Sequence, residues 1–191
     1  MMPTPDDLLT LPSNLPVPID DGACAHLPGL TIPDIALPAT TGGRIDLADL
    51  AVGLAVVFCY PRAGNPGVDH PGWDEIPGAR GCTPQACAFR DLHDELRAVG
   101  ARVVGLSAQP AEEQAHFARL RSITYPLLSD PGLHLASALE LPTFEFEGLR
   151  LYKRVTLILA QRQIAKVFYP VFPPDRDAAE VLAWIECASG S

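Results

Sequence analysis

The feature that most limits the fold is a pair of unbroken apolar runs. Residues 54–60, LAVVFCY, stand between Gly53 and Pro61, and residues 102–107, RVVGLS, repeat the pattern further on. A strand with one face in water alternates polar and apolar side chains, so these runs predict strands buried on both faces. Such strands need helices on either side. Phe89, Leu92, Leu96 and Val99 recur at helical spacing and predict one helix from Cys82 to Val99. Pro110 opens a second helix through about Arg121 with Phe117 and Leu120 inward, and Asp130-Pro131-Gly132 turns into a third carrying Leu133, Ala136 and Leu139. Ala178, Val181, Leu182 and Ile185 give a final helix one apolar face. Residues 125–128 read as a short apolar edge and residues 154–160 and 163–169 as a hairpin about Gln161-Arg162. Residues 32–50 read as two short strands around a Thr-Gly-Gly turn, leading into a Leu47/Leu50 turn. Strand and helix alternate, the pattern of an α/β sandwich.

The predicted helix at Cys82 starts in a loop of small residues, GARGCTPQAC, and Pro84 suits its first turn. Cys82 lies at or just before that start, where unpaired backbone N–H groups and the positive end of the helix dipole stabilise an anion on sulfur. Arg80 adds a positive charge two residues earlier. In a helix, the five-residue step to Cys87 turns the side chain roughly 140° about the axis and sets the Cα atoms roughly 8–9 Å apart. A disulfide needs them within about 7 Å, so joining these thiols requires the first turn and a half to unwind. The stretch reads as a redox switch at a helix start.

At 191 residues the chain is long enough for one domain that buries about 70% of its unfolded surface, with no need of a covalent staple. Fourteen basic against twenty-three acidic residues give a net charge of −9, which disfavours nucleic-acid and anionic-membrane partners. Residues 1–29 carry Pro3, Pro5, Pro12, Pro16, Pro18 and Pro28 and read as an extended or partly disordered arm before a domain at residues 30–191. That arm has acids where a signal peptide has bases and no long apolar run, so the expected location is the cytoplasm. Cys24, Cys59, Cys82, Cys87 and Cys187 are odd in number, which suits reduced thiols with one redox pair. Cys59, inside a buried run, reads as a small hydrophobe. The C-x4-C spacing also occurs in iron–sulfur sites, but the third cysteine such a site wants is replaced by Arg90. No phosphate loop, zinc spacing or Ser-His-Asp set is present, and His93, His116 and His134 fall in helices with no assigned role.

The strings YPRAGNPG (residues 60–67), GCTPQACAFRD (81–91) and KRVTLIL (153–159) together resemble the peroxiredoxins, and the Cys82–Cys87 spacing resembles their Q-type, the bacterioferritin comigratory proteins. The resemblance spans roughly residues 30–186. It implies a thioredoxin-like fold, with a central mixed sheet flanked by helices and an N-terminal hairpin. It further implies a thiol-dependent peroxidase needing no bound cofactor or metal. In it Cys82 attacks hydrogen peroxide or an alkyl hydroperoxide, and Cys87 resolves the resulting sulfenic acid as a disulfide. A thioredoxin-like or glutaredoxin-like donor then reduces that disulfide. Arg154, in an Arg-x-Thr pattern with Thr156, resembles the family arginine that contacts thiolate and peroxide. The peroxide pocket implied is Tyr60, Pro61, Asn65, Gly81, Thr83 and Gln85. Such relatives are often monomers, with a homodimer as the alternative.

The chain departs from that family in two places. Gln85 stands where many relatives have Glu, which gives up a charge beside the arginine. Relatives also keep Pro-x-x-x-Thr-x-x-Cys unbroken, whereas here Asn65 falls where Thr is expected, residues 68–81 are inserted, and Ala79 precedes Cys82 by three. Either Asn65 folds back to do the work of that Thr or the insertion re-lines the pocket. The insertion reads as an ordinary surface loop or as a lid in which His70 or Trp73 closes over the site. Cys24 and Cys187 are alternative resolving or intersubunit thiols. A disulfide-exchange oxidoreductase and a non-catalytic sensor or interaction module are the competing functions, both oxidised slowly.

Overall fold

The computed structural model describes residues 8–66 and 68–190, so Pro3 and Pro5 of the arm and Gly67 of the YPRAGNPG string lie outside the described residues. An antiparallel pair, β1 (Ala36–Pro38) and β2 (Arg44–Asp46), runs into the one-turn helix α1 (Leu47–Leu50). Asp46 caps α1 by accepting the Ala48 amide at 2.8 Å. Then come β3 (Ala55–Cys59), α2 (Cys82–Asp91), α3 (His93–Ala98), β4 (Arg102–Ser107), α4 (Ala111–Leu120) and β5 (Leu127–Ser129). Helix α5 (His134–Leu139) leads to the hairpin β6 (Thr143–Phe146) and β7 (Leu149–Tyr152). The hairpin β8 (Val155–Ala160) and β9 (Gln163–Phe168) and the helix α6 (Asp177–Ser189) complete the chain.

The central sheet has the order β5-β4-β3-β8-β9. Strand β3 is parallel to β4 and β4 to β5, while β8 runs antiparallel to both β3 and β9, so the sheet is mixed. Every residue of β3 is buried because each of its faces meets a separate apolar cluster. Ala55, Val57 and Cys59 pack with α1 and α5, whereas Val56 and Phe58, with Tyr60 just beyond, pack with α2, α3, α4 and α6. Phe58 stacks on Phe89 of α2 with ring centroids 4.4 Å apart, and each such buried ring contributes about 1.5–3 kcal/mol. Gly105 of β4 leaves room for this stack, since a Cβ there would lie 2.8 Å from Phe58 Cζ. The arm from residue 8 onward lies on the domain: Leu8, Cys24 and Leu27 are buried, and Asp21 accepts from Lys153 Nζ at 3.0 Å and from the Tyr169 hydroxyl at 2.9 Å.

The structure corrects the reading of the helices in two places. The single helix expected over 82–99 is broken at Leu92, whose backbone leaves helical geometry at φ −102°, ψ 14°. The Leu92 amide still bonds Ala88 O at 3.1 Å, so the apolar face hardly rotates and the spacing alone carries no sign of the break. Leu120 is 42% exposed, because the buried arc of α4 centres between Phe117 and Ala118 and includes Gln114 instead. The β6–β7 hairpin is an element that the sequence reading leaves out.

Candidate active site

Helix α2 begins where Gly81 takes φ +107°, a backbone region that side chains rarely adopt, and a Cβ there would collide with Pro174 and Leu11. The Gln85 amide bonds Gly81 O at 3.0 Å and closes the first turn. Cys82 is thus the first residue of α2, where its own amide and that of Thr83 have no carbonyl partner within the helix. Arg154 reaches this point from the sheet. It immediately precedes β8, whose Val155 pairs with Cys59 at the C-terminal end of β3, and the two-residue period sets Arg154 on the same face as Thr156, toward α2 and α6.

Buried to 3% exposure, Arg154 donates through Nη2 to Cys82 Sγ at 3.3 Å and to the carbonyls of Gly78 (3.2 Å), Ala79 (3.2 Å) and Arg80 (3.3 Å). Its Nη1 donates to Gln85 Oε1. The loop before the cysteine is therefore folded around the guanidinium, and that guanidinium touches sulfur. Ala79, three before Cys82, contributes only its carbonyl, 3.6 Å from Sγ. Gln85 passes the contact on: its Nε2 donates to Asp177 Oδ2 at 2.6 Å, and Thr156 Oγ1 donates to the same oxygen at 2.7 Å. Burial pushes the Asp177 carboxyl up to about 6, against the lowering effect of these bonds and of Arg154.

Cys82 opens onto a cavity of about 270 Å³. Gly81, Thr83, Arg62 and Leu8 line it with His70, Trp73 and neighbouring residues of the insertion. The insertion is braced by the β6–β7 hairpin. Trp73 meets Phe146 and Phe144 at centroid distances of 5.0 and 6.0 Å, and Glu147, in the hairpin turn, accepts from His70 Nδ1 at 3.1 Å. Arg80 pairs with Asp74 at 3.2 Å, so its charge is engaged within the insertion. The arm closes another side, Leu8 against Gly64, Leu11 against Gly81 and Pro18 against Gly78.

The residues expected at the site divide into three groups. Cys82, Gly81, Thr83, His70 and Trp73 line the cavity; Tyr60, Pro61, Gln85 and Arg154 are buried behind it. Asn65 is exposed and lines a neighbouring cavity with Gln109 and Glu113. The Ala63 amide is tied to Gln109 Oε1 at 2.7 Å, which turns the chain toward α4 before Asn65 is reached. The only hydroxyl among the described lining residues of the Cys82 cavity is that of Thr83, whose buried Oγ1 has no partner among the described residues. Cys87 lies on α2 with Cys82, 6% exposed, and burial raises its thiol while Arg90 and Arg121 work to lower it. Among the described residues no cysteine is joined in a disulfide. Asp177 escaped the sequence reading, since an acid at a helix start is indistinguishable in sequence from an ordinary helix-capping acid.

The comparisons with known proteins agree with this geometry. The Redoxin family model matches residues 27–182. A Mycobacterium tuberculosis protein described as a peroxiredoxin is 35% identical over 157 residues, 81% of this chain and 93% of its own length. Chloroplastic peroxiredoxin Q of Gentiana triflora is 29% identical over 187 residues, covering 95% and 79%. The crystal structure of peroxidoxin BcpB from Mycobacterium tuberculosis superposes with a TM-score of 0.69 at 34% identity, over 85% of this chain and 98% of that one. Peroxiredoxin Q of Xanthomonas campestris, 23% identical, shares the fold with a TM-score of 0.68, over 85% and 96%. Among the described residues no helix is long and apolar enough to cross a membrane. With its thioredoxin-like mixed sheet and a cysteine at the start of α2 held against a buried arginine, the chain belongs to the peroxiredoxins, the thiol-dependent peroxidases of the Redoxin family.

Proposed function

We propose that Cys82 is the peroxidatic cysteine, that Cys87 resolves it within the same chain, and that the substrates are hydrogen peroxide and alkyl hydroperoxides. The observation that carries this reading is the 3.3 Å contact between Arg154 Nη2 and Cys82 Sγ at the floor of an open cavity. The Cys82 thiolate attacks the terminal peroxide oxygen in line, the O–O bond breaks, and the departing alkoxide or hydroxide takes a proton from solvent. Arg154 and the Cys82 and Thr83 amides at the start of α2 are the donors at hand for the charge that develops on the reacting oxygens. The unpartnered Thr83 hydroxyl is the group available to donate to the peroxide in place of the missing Thr.

The cysteine emerges as a sulfenic acid. Cys82 and Cys87 share one continuous helix, so the start of α2 must unwind and shift Leu11 and Pro174 off Gly81 before the thiol of Cys87 condenses and expels water. A thioredoxin-like or glutaredoxin-like dithiol then reduces the disulfide, in the reducing setting of the cytoplasm. The cycle runs in a monomer, since one chain supplies Cys82, Cys87 and Arg154. Trp73 and His70, on the wall of the cavity, select among peroxides. Steady-state peroxide consumption with thioredoxin as donor tests the reading: Cys82→Ser is expected to abolish turnover, and full turnover in that variant would refute it.

A further inference from the structure

We propose that Asp177 is a positioning residue for the reaction at Cys82: as a carboxylate it fixes which end of the Gln85 amide faces Arg154, and so holds the guanidinium on the sulfur. The proposal rests on the reading of Cys82 and Arg154 given above. Nothing in the family resemblance assigns Asp177 a part.

Arg154 carries only donors, so the bond from its Nη1 requires the carbonyl end of Gln85. That leaves the Nε2 end on the far side, fully buried, where only an acceptor satisfies it. An ionised Asp177 offers acceptors alone, and its Oδ2 takes both Gln85 Nε2 at 2.6 Å and Thr156 Oγ1 at 2.7 Å. A protonated Asp177 gains a donor. A proton on Oδ2 favours the carbonyl end of Gln85, and the reversed amide sets an NH2 group against the guanidinium; a proton on the unpartnered Oδ1 leaves Oδ2 a neutral acceptor with a weaker hold on Nε2. Asp177 is 1% exposed and heads α6, where the positive end of the helix dipole favours its charge. Its Oδ1 is buried with no partner among the described residues.

The groups facing Asp177 are Gln85 from α2, Thr156 of β8 and Arg154 just before it, and Glu180 on α6 itself, whose charge works to keep the proton on. Burial outweighs the lowering contributions, so Asp177 gives up its proton at about pH 6. Above that value the carboxylate holds Gln85 and Arg154 in register; below it the hold weakens, so the rate of Cys82 oxidation rises with pH through about 6.

The test is stopped-flow oxidation of the reduced protein by hydrogen peroxide from about pH 5 to about pH 8, with Asp177→Asn, Gln85→Glu and the two combined. Asp177→Asn is expected to lower the rate at neutral pH about tenfold and to remove the inflection near pH 6. Gln85→Glu alone slows oxidation, because two carboxylates then face each other. The double variant recovers the rate to within about threefold of wild type, since the carboxylate introduced at position 85 grips Arg154 directly. A role in packing alone predicts no such recovery. Asp177→Asn with wild-type rate and inflection, or a double variant no faster than the single ones, overturns the proposal. Should Asp177→Asn not fold, wild type decides by carboxyl carbon-13 NMR: a buried carboxyl titrating in step with the rate supports the proposal, and none titrating there overturns it. A wild-type chain that peroxide oxidises no faster than Cys82→Ser overturns the Cys82 reading and this proposal together.

Discussion

Cys59 and Cys82 stand at the end of β3 and the start of α2, and both are buried, at 0% and 3% exposed. Their surroundings differ in one respect. Cys59 sits among apolar side chains of the α1 and α5 layer, and burial, with the nearby charges of Asp130 and Cys24 adding to it, holds its thiol far above the ordinary range. Cys82 faces the other layer, with Arg154 Nη2 at 3.3 Å and helix amides that have no internal partner. Burial without donors silences a thiol, and burial with donors aimed at it makes a site for a developing negative charge. Cys24 falls on the silent side, pushed up to about 12, chiefly by burial.

The comparison is broken most severely by removing the donor. Arg154→Met should lower the rate constant for Cys82 oxidation by about 10²–10³-fold, measured by stopped flow at neutral pH, which leaves Cys82 chemically closer to Cys59. An effect below about tenfold would mean that the helix start alone does the work. A smaller change is expected on the cavity wall. Trp73→Ala removes a ring packed on Phe144 and Phe146 and should shift the ratio of specificity constants for a bulky alkyl hydroperoxide over hydrogen peroxide by about tenfold. An unchanged ratio would return the insertion to the reading of a plain surface loop. The smallest effect belongs to the control. Cys59→Ala should leave peroxide turnover within about twofold, and iodoacetamide should label Cys59 only after unfolding, because its thiolate is not formed in the native core.

Much of the frame is legible in sequence for a physical reason. LAVVFCY must be buried on both faces, and the sheet does bury it between two apolar clusters. Cys82 is readable because glycine before it and proline after it mark a helix start. What could not be read depends on contacts between distant residues. Asp177 looks like any acid that opens a helix, and only the packing of α6 against α2 brings it to Gln85. The break at Leu92 leaves the apolar spacing intact, and Leu120 fails because spacing says which residues share a face but not how wide the buried arc is. The β6–β7 hairpin had a usable signal, the alternation TFEF and LRLY about Glu147-Gly148, and it carries the rings that brace Trp73. The position of the insertion had none, since its place beside Cys82 depends on that hairpin and on the arm.

The most direct test of the two-cysteine cycle is oxidation of the reduced chain by one equivalent of hydrogen peroxide, followed by mass mapping of the disulfide, in wild type and in Cys87→Ser. The predicted result is rapid loss of two thiols, a Cys82–Cys87 link in wild type, and a sulfenic acid stalled on Cys82 in the variant. A link from Cys82 to Cys24 or Cys187, or oxidation no faster than that of a free cysteine, would contradict it.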